Sequence, residues 1–174
     1  MGAQTIDGLP FRIDGEMPLY GRTPAERKKV HPKSYTGIVI GRAFEELHLI
    51  HMTHWVDVEG RQISTVTLHY EDGSKHAFPI AYGVHVRDQS HLLSEEKELI
   101  TDPATKIFWR GPGDEQLKST LRLFKTTLVN PHPKKTVTTM DLEAAPDCLA
   151  SHALMAATVS DHDDKRPVSP APAP

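Results

Sequence analysis

Polar and hydrophobic residues alternate most regularly between residues 62 and 80. Ser64, Val66, Leu68 and Tyr70 alternate there with Ile63, Thr65, Thr67 and His69, and a period of two is typical of a β-strand. The alternation is interrupted at residues 71–74, whose Asp-Gly step tolerates positive φ and favours a tight turn. An extended pattern resumes at Lys75. The segment 62–80 is therefore predicted to form a β-hairpin.

Other segments are rich in β-branched and aromatic residues and are bounded by Gly, Pro, Asn or Asp. They are residues 11–14, 37–40, 46–52, 106–110, 117–129, 136–143 and 152–159. Together with the hairpin they give about nine strands, which favours an all-β, antiparallel two-sheet sandwich over alternating βαβ units. Only short helical turns are expected, at residues 24–29 and after Ser94.

The two ends of the chain differ from its middle. Residues 161–174 begin with charged side chains and continue with repeated prolines, which favour extended polyproline II and predict a disordered tail or linker. Residues 1–7 are assigned to an N-terminal extension, which leaves one β-sandwich domain over residues 8–160. The chain has neither a signal-peptide core nor a run of the ~18 apolar residues that a membrane helix needs. If residues 1–174 are the whole protein, a cytoplasmic location is expected.

Short motifs spread over residues 8–159 occur in a recognisable order. They are Gly8-Leu9-Pro10-Phe11, Ile40-Gly41-Arg42, Leu47-His48-Leu49-Ile50-His51, Tyr70-Glu71-Asp72-Gly73-Ser74, Ile80-Ala81-Tyr82-Gly83, Trp109-Arg110-Gly111, Leu121-Arg122-Leu123-Phe124, Asn130-Pro131-His132-Pro133 and Ala156-Ala157-Thr158. In this order and spacing they resemble a bacterial β-sandwich module of galactose-binding-like jelly-roll topology, also called carbohydrate-binding-like. The resemblance implies a jelly-roll sandwich fold. Together with the loop residue Trp55 it leads us to expect a module that recognises carbohydrate or another polar ligand through loops at one end of the sandwich.

Net charge and cysteine content exclude several classes of partner and of activity. The formal net charge of -3 provides no positive field for nucleic acid, and neither nucleic-acid binding nor membrane insertion is expected. Cys148 is the single cysteine, so neither an intrachain disulfide nor a thiolate metal cluster can form. The chain lacks a Gly-x-Ser-x-Gly elbow and a phosphate-binding glycine loop. No catalytic residue is predicted, and a non-catalytic binding module is favoured over an enzyme.

Aromatic side chains are the main candidates for a ligand surface, because sugar rings stack on them while sugar hydroxyls seek polar partners. Trp55 leads because it follows a predicted strand and opens a polar loop. The predicted ligand-binding set is Trp55, His54, Tyr82, His85, Trp109 and Arg110.

Metal binding is the second chemistry that the sequence offers. His69 and His76 flank the predicted turn at similar distances, and with His85 they form a candidate metal site. His48, His51 and His54 are spaced three apart, but a strand sends the first two to opposite faces. No cofactor is required, although loop carboxylates offer oxygen ligands of the kind that calcium takes. These carboxylates are Asp57, Glu59, Asp72, Asp88 and Asp102.

Two alternatives to carbohydrate binding stay open. A protein-interaction or structural module is indicated by the Pro-rich tail and by the basic residues Arg22, Arg27, Lys28, Lys29 and Lys33. It is also indicated by Gln89 and Val129, which stand where the resemblance leads us to expect aromatic side chains. A metal-dependent enzyme that uses the clustered histidines is the other alternative.

Overall fold

The computed structural model describes residues 2–92 and 100–161, and this part of the chain contains twelve strands and one short helix. The elements are β1 (Gly2–Ile6), β2 (Leu9–Ile13), β3 (Met17–Pro18), α1 (Arg22–Glu26), β4 (Ser34–Arg42), β5 (Glu46–His54), β6 (Gln62–Tyr70), β7 (Lys75–Ala81), β8 (Ser90–Leu92), β9 (Thr105–Pro112), β10 (Ser119–Val129), β11 (Val137–Ala144) and β12 (Ser151–Ser160). The predicted all-β class is confirmed. Within the described residues, no helix is long and apolar enough to cross a membrane.

The strands form three antiparallel sheets. A six-stranded sheet has the order β3-β12-β5-β10-β8, and β9 also pairs with β10. A four-stranded sheet has the order β4-β11-β6-β7, and β1 pairs with β2 in a separate hairpin. The two larger sheets share one hydrophobic core, to which β5 contributes Leu47 and Leu49 and β6 contributes Val66 and Leu68. This arrangement is consistent with the predicted sandwich.

The hairpin predicted over residues 62–80 is present as β6 and β7. Gly73 has a φ of +83°, and the Asp72 carboxylate accepts hydrogen bonds from the backbone N–H and the hydroxyl of Ser74. Ser64, Val66, Leu68 and Tyr70 are all buried. The period of two therefore identified the inner face of β6 because burial on one face of a strand repeats every second residue.

The β1–β2 hairpin forms a further layer on the outer face of the six-stranded sheet. Leu9, Phe11 and Ile13 of β2 pack there against Ile50 of β5 and Ala156 of β12. Strand β5 consequently buries side chains on both faces, since its inner face contacts the four-stranded sheet. Residues 2–6, assigned to an extension from the sequence, thus form a paired strand.

The local predictions differ from the structure in a few places. Strands β1, β3 and β8 had not been predicted, and β3 and β8 are only two and three residues long. The helix begins at Arg22 after Gly21, where a Cβ atom would lie 2.5 Å from the Ala150 carbonyl oxygen, and Lys28 has a positive φ soon after the helix ends. The helical turn expected after Ser94 and the Pro-rich tail lie outside the described residues, apart from Asp161.

Candidate functional site

A concavity of about 260 Å³ lies where β5 ends, and we call it the Trp55 pocket. It is lined by Lys29, His54, Trp55, Asp88 and Gln89. The His54 and Trp55 rings have centroids 6.0 Å apart, and the Lys29 Nζ lies 5.5 Å from the centroid of the Trp55 ring. An aromatic face, a cation, an amide and a carboxylate therefore converge on one space, as is typical of a site for a polar ligand.

The backbone of Trp55 adopts a conformation that large side chains rarely take. Its φ is +67°, in the left-handed region where a bulky residue is a genuine outlier. The Thr53 hydroxyl donates a 2.9 Å hydrogen bond to the Trp55 carbonyl and fixes this reversal of the chain. Because strained conformations concentrate at functional sites, this one supports a functional role for the indole.

The loop that follows Trp55 is held at two points. The side chain of Asp57 is fully buried, and its Oδ2 accepts hydrogen bonds from the backbone N–H groups of Leu149 at 2.6 Å and Ala150 at 3.0 Å. Arg87 donates two parallel hydrogen bonds to Glu59, at 2.5 and 2.9 Å. Bidentate pairs of this kind fix orientation as well as distance. The indole is thus presented by an ordered loop.

The opposite wall of the pocket is joined to the end of β5 by backbone hydrogen bonds. Thr53 N–H donates to the Arg87 carbonyl at 3.0 Å, and Gln89 N–H donates to the Thr53 carbonyl at 2.9 Å. Asp88 and Gln89 therefore lie beside His54 and Trp55, although they are more than thirty residues away in sequence. Neither Gln89 nor Lys29 had been predicted as a ligand-binding residue, because no local pattern signals this pairing.

His54 is oriented by a partner on each ring nitrogen. The Gln89 amide donates to Nδ1 at 3.0 Å, which places the ring hydrogen on Nε2. That nitrogen faces both carboxylate oxygens of Glu16, at 3.1 and 3.2 Å. The ring is therefore fixed in one tautomer at the edge of the pocket.

The remaining predicted ligand-binding residues do not join this pocket. Tyr82 is buried in the main core beneath Arg87, and His85 accepts a hydrogen bond at Nδ1 from Ala81 N–H. Trp109 and Arg110 lie on β9, and Trp109 lines a separate apolar cavity of about 170 Å³ beside the β1–β2 hairpin. Only Trp55 and His54 of the predicted set line the Trp55 pocket.

The candidate metal ligands are also separated. His76 pairs with the core residue Leu68, whereas His69 pairs with Lys75 on the opposite face and contacts Asp141 at 2.7 Å. His85 belongs to the loop after β7. Within residues 2–92 and 100–161, no three His, Cys, Asp or Glu side chains are grouped so that they could hold a metal ion.

The five carboxylates considered for calcium are used within the fold. Asp57 and Glu59 hold the loop after Trp55. The other three accept hydrogen bonds in turns: Asp72 from Ser74 and Lys135, Asp88 from Ser90, and Asp102 from Ala104 and Thr105. The hydrogen bond from Lys135 is the largest cause of the lowered pKa of Asp72.

Comparison with known proteins finds no family model, no curated protein and no solved structure that matches this chain. The fold and the site by themselves define an all-β protein of antiparallel sheets that carries an aromatic and polar pocket at a strand end.

Proposed function

We propose that this protein is a non-catalytic binding module that recognises carbohydrate in the Trp55 pocket. The observation that carries the proposal is the positive φ of Trp55, which presents the indole beside Lys29, His54 and Gln89. A pyranose ring offers an apolar face to the indole and hydroxyl groups to the surrounding donors and acceptors.

The resemblance to galactose-binding-like jelly-roll modules supports the same class of ligand. Such a module would bind through loops at one end of its sandwich, and the Trp55 pocket lies where β5 ends and just before β8 begins. We infer a jelly-roll arrangement for the strands on this basis. The two anchors of the loop, at Asp57 and Glu59, support preorganised binding, because a held loop loses little entropy when a ligand arrives.

The chain contains only two tryptophans, which makes the proposal directly testable by fluorescence. In the Trp109→Phe variant, Trp55 is the only indole, and its emission reports on the pocket. We expect oligosaccharides of at least one polysaccharide class to shift this emission in a saturable manner, with and without calcium. The matched Trp55→Phe variant, in which Trp109 alone reports, should show no shift. Absence of binding across a broad glycan panel would refute the proposal.

A protein partner is the second candidate, and the exposed basic residues that lead up to the pocket along the chain favour it. Lys29 lines the pocket, and Arg27 and Lys28 directly before it are exposed as well, so together they would attract an acidic peptide. A poly-glutamate peptide that shifts Trp55 emission, when no glycan does so, would support this candidate instead.

A further inference from the structure

A continuous chain of hydrogen-bonded side chains crosses the main core. Its members are joined at Ser64 Oγ to His152 Nδ1 (2.7 Å), His152 Nε2 to His51 Nδ1 (2.8 Å), His51 Nε2 to Thr126 Oγ1 (2.7 Å), Thr126 Oγ1 to Thr105 Oγ1 (2.8 Å), and Thr105 Oγ1 to Asp102 Oδ2 (2.7 Å). We call it the Ser64–Asp102 chain. All of its members are buried except Asp102, which is partly exposed.

The carboxylate at the surface end sets the direction of the hydrogen bonds. A carboxylate can only accept, so the single hydroxyl hydrogen of Thr105 points to Asp102. Thr105 must then accept from Thr126, whose single hydrogen is shared between Thr105 Oγ1 at 2.8 Å and the backbone carbonyl oxygen of His85 at 3.1 Å. The Nε2 of His51 is consequently the donor to Thr126.

The tautomers of both imidazoles follow from these directions. With its hydrogen on Nε2, a neutral His51 accepts at Nδ1 from the Nε2–H of His152. His152 in turn accepts at Nδ1 from the hydroxyl of Ser64. Every bond in the chain then has one donor and one acceptor, and both rings are neutral Nε2–H tautomers.

This chain connects the two larger sheets. Ser64 belongs to β6 of the four-stranded sheet, and the next four members lie on β12, β5, β10 and β9 of the six-stranded sheet. The bond from Ser64 to His152 is therefore a polar link between the sheets within the main core.

The arrangement has no place for an additional proton between the two rings. The 2.8 Å separation of His51 Nδ1 and His152 Nε2 holds one hydrogen, so a proton added to His51 at Nδ1 would set two N–H groups against each other. A proton added to His152 would lie on Nδ1, where the Ser64 hydroxyl would have to turn and accept instead of donating. In both cases a cation would form in a fully buried position between the sheets.

Among the residues that the structure describes, the ionisable groups that face the Ser64–Asp102 chain are His85, from the loop after β7, and Asp102. Burial lowers the pKa of His152 to about 3, and the charge of His85 acts in the same direction. Burial, followed by the charges of His152 and His85, lowers the pKa of His51 well below 6.5, against a smaller opposing effect of the His85 backbone.

We propose that the Ser64–Asp102 chain is an acid-sensitive lock between the two sheets. It is closed while His51 and His152 are neutral, and uptake of a proton by either ring separates the four-stranded sheet from the six-stranded sheet. This inference is independent of the ligand of the Trp55 pocket.

The direction of the pH effect follows from proton binding. In the unfolded chain these histidines take up a proton as the pH falls through 6.5, whereas in the folded protein they stay neutral. Stability is therefore fully present above this pH and is lost below it. His48 on the outer face acts in the same direction. Burial and Lys125 lower its pKa to about 4, against the opposing charge of Asp7, and Glu46 lies 3.4 Å away.

The size of the effect can be estimated from the number of suppressed protons. Each such histidine changes the unfolding equilibrium constant about 10-fold per pH unit between its two pKa values. His48, His51 and His152 together give about 1,000-fold per pH unit between about pH 5.5 and 4.5.

Urea unfolding of the full-length protein at a series of pH values measures how steeply the unfolding equilibrium constant changes with pH. We expect His152→Gln to reduce it to about 100-fold per pH unit. The matched control His31→Gln changes a histidine that is not a member of the Ser64–Asp102 chain, and it should leave the slope unchanged. A wild-type slope below about 10-fold per pH unit would overturn the proposal.

NMR of the wild-type imidazoles gives a test that does not depend on variants that fold. We expect His51 and His152 to remain Nε2–H tautomers from pH 7.5 downward until the protein unfolds. If either ring took up a proton near pH 6.5 while the fold persisted, no such lock would exist.

Discussion

His51 and His54 lie three residues apart on the same strand, yet they serve different regions of the molecule. His51 faces the four-stranded sheet, where its partners are a second imidazole and a hydroxyl. His54 reaches the rim of the Trp55 pocket, where its partners are the Glu16 carboxylate and the Gln89 amide. A charge on the second ring would be compensated by Glu16, whereas a charge on the first would be buried without a counterion.

The comparison shows that surroundings, and not residue type, decide what a histidine does here. The Ser64–Asp102 chain is buried from Ser64 to Thr105 and contributes to folding, so its substitutions should mainly affect stability. The Trp55 pocket is open and its loop is anchored from behind, so its substitutions should mainly affect binding.

Removing His152 should have the largest effect. His152→Ala deletes a fully buried ring, leaves a cavity and strips His51 and Ser64 of partners. The expected loss is about 3 kcal/mol of unfolding free energy, measured by urea denaturation at pH 7.5. A loss below about 1 kcal/mol, within the range of a surface substitution, would mean that the chain is not a stabilising element.

Removing the carboxylate at the surface end of the Ser64–Asp102 chain should lower the unfolding free energy by a smaller amount. Asp102→Ala leaves the Thr105 hydroxyl without its acceptor, and we expect a loss of about 1 to 2 kcal/mol. Asp102→Asn keeps an accepting oxygen and serves as the matched control, with less than half of that loss. Equal losses in the two variants would contradict the direction assigned to the chain.

The strain at Trp55 should be visible when two small residues are compared. Trp55→Gly should be about 1 kcal/mol more stable than Trp55→Ala, because glycine accepts a φ of +67° without a Cβ clash. Both variants should lose carbohydrate binding. Isothermal titration calorimetry measures this loss, because neither variant retains the indole whose fluorescence reports on the pocket. If the alanine variant were as stable as the glycine variant, the backbone at this position would not be strained.

Truncation of the Lys29 side chain should have the smallest effect on stability. Lys29→Ala removes an exposed cation beside the Trp55 ring, and we expect a change in stability of no more than about 0.5 kcal/mol. Binding should nevertheless weaken several-fold in calorimetric titration. Unchanged affinity would place the ligand away from this wall of the pocket.

Much of the fold could be predicted from local patterns. The prediction of the β6–β7 hairpin was correct because a half-buried strand imposes a period of two and because Asp72-Gly73 suits the turn between the strands. The strand β5 was also recognised, although both of its faces are buried. Strands β3 and β8 could not be predicted, because two or three residues are too few to show an alternation of polar and hydrophobic positions.

The polar sites were harder to predict because they are assembled from distant segments. Trp55 was identified because an aromatic residue after a strand is a local feature. Gln89 became its neighbour only through the hydrogen bonds between residues 87–89 and Thr53. The pairing of His51 with His152 depends on the register of β5 against β12, which includes a bulge. No pattern within either strand specifies that register.

The division between an open site and a closed core is tested most directly by side-chain NMR during titration with an oligosaccharide that binds the Trp109→Phe variant. We predict that the imidazole signals of His54 and the indole signal of Trp55 shift together and saturate, while those of His51 and His152 stay in place. Shifts at the buried pair, with His54 and Trp55 unmoved, would contradict the account.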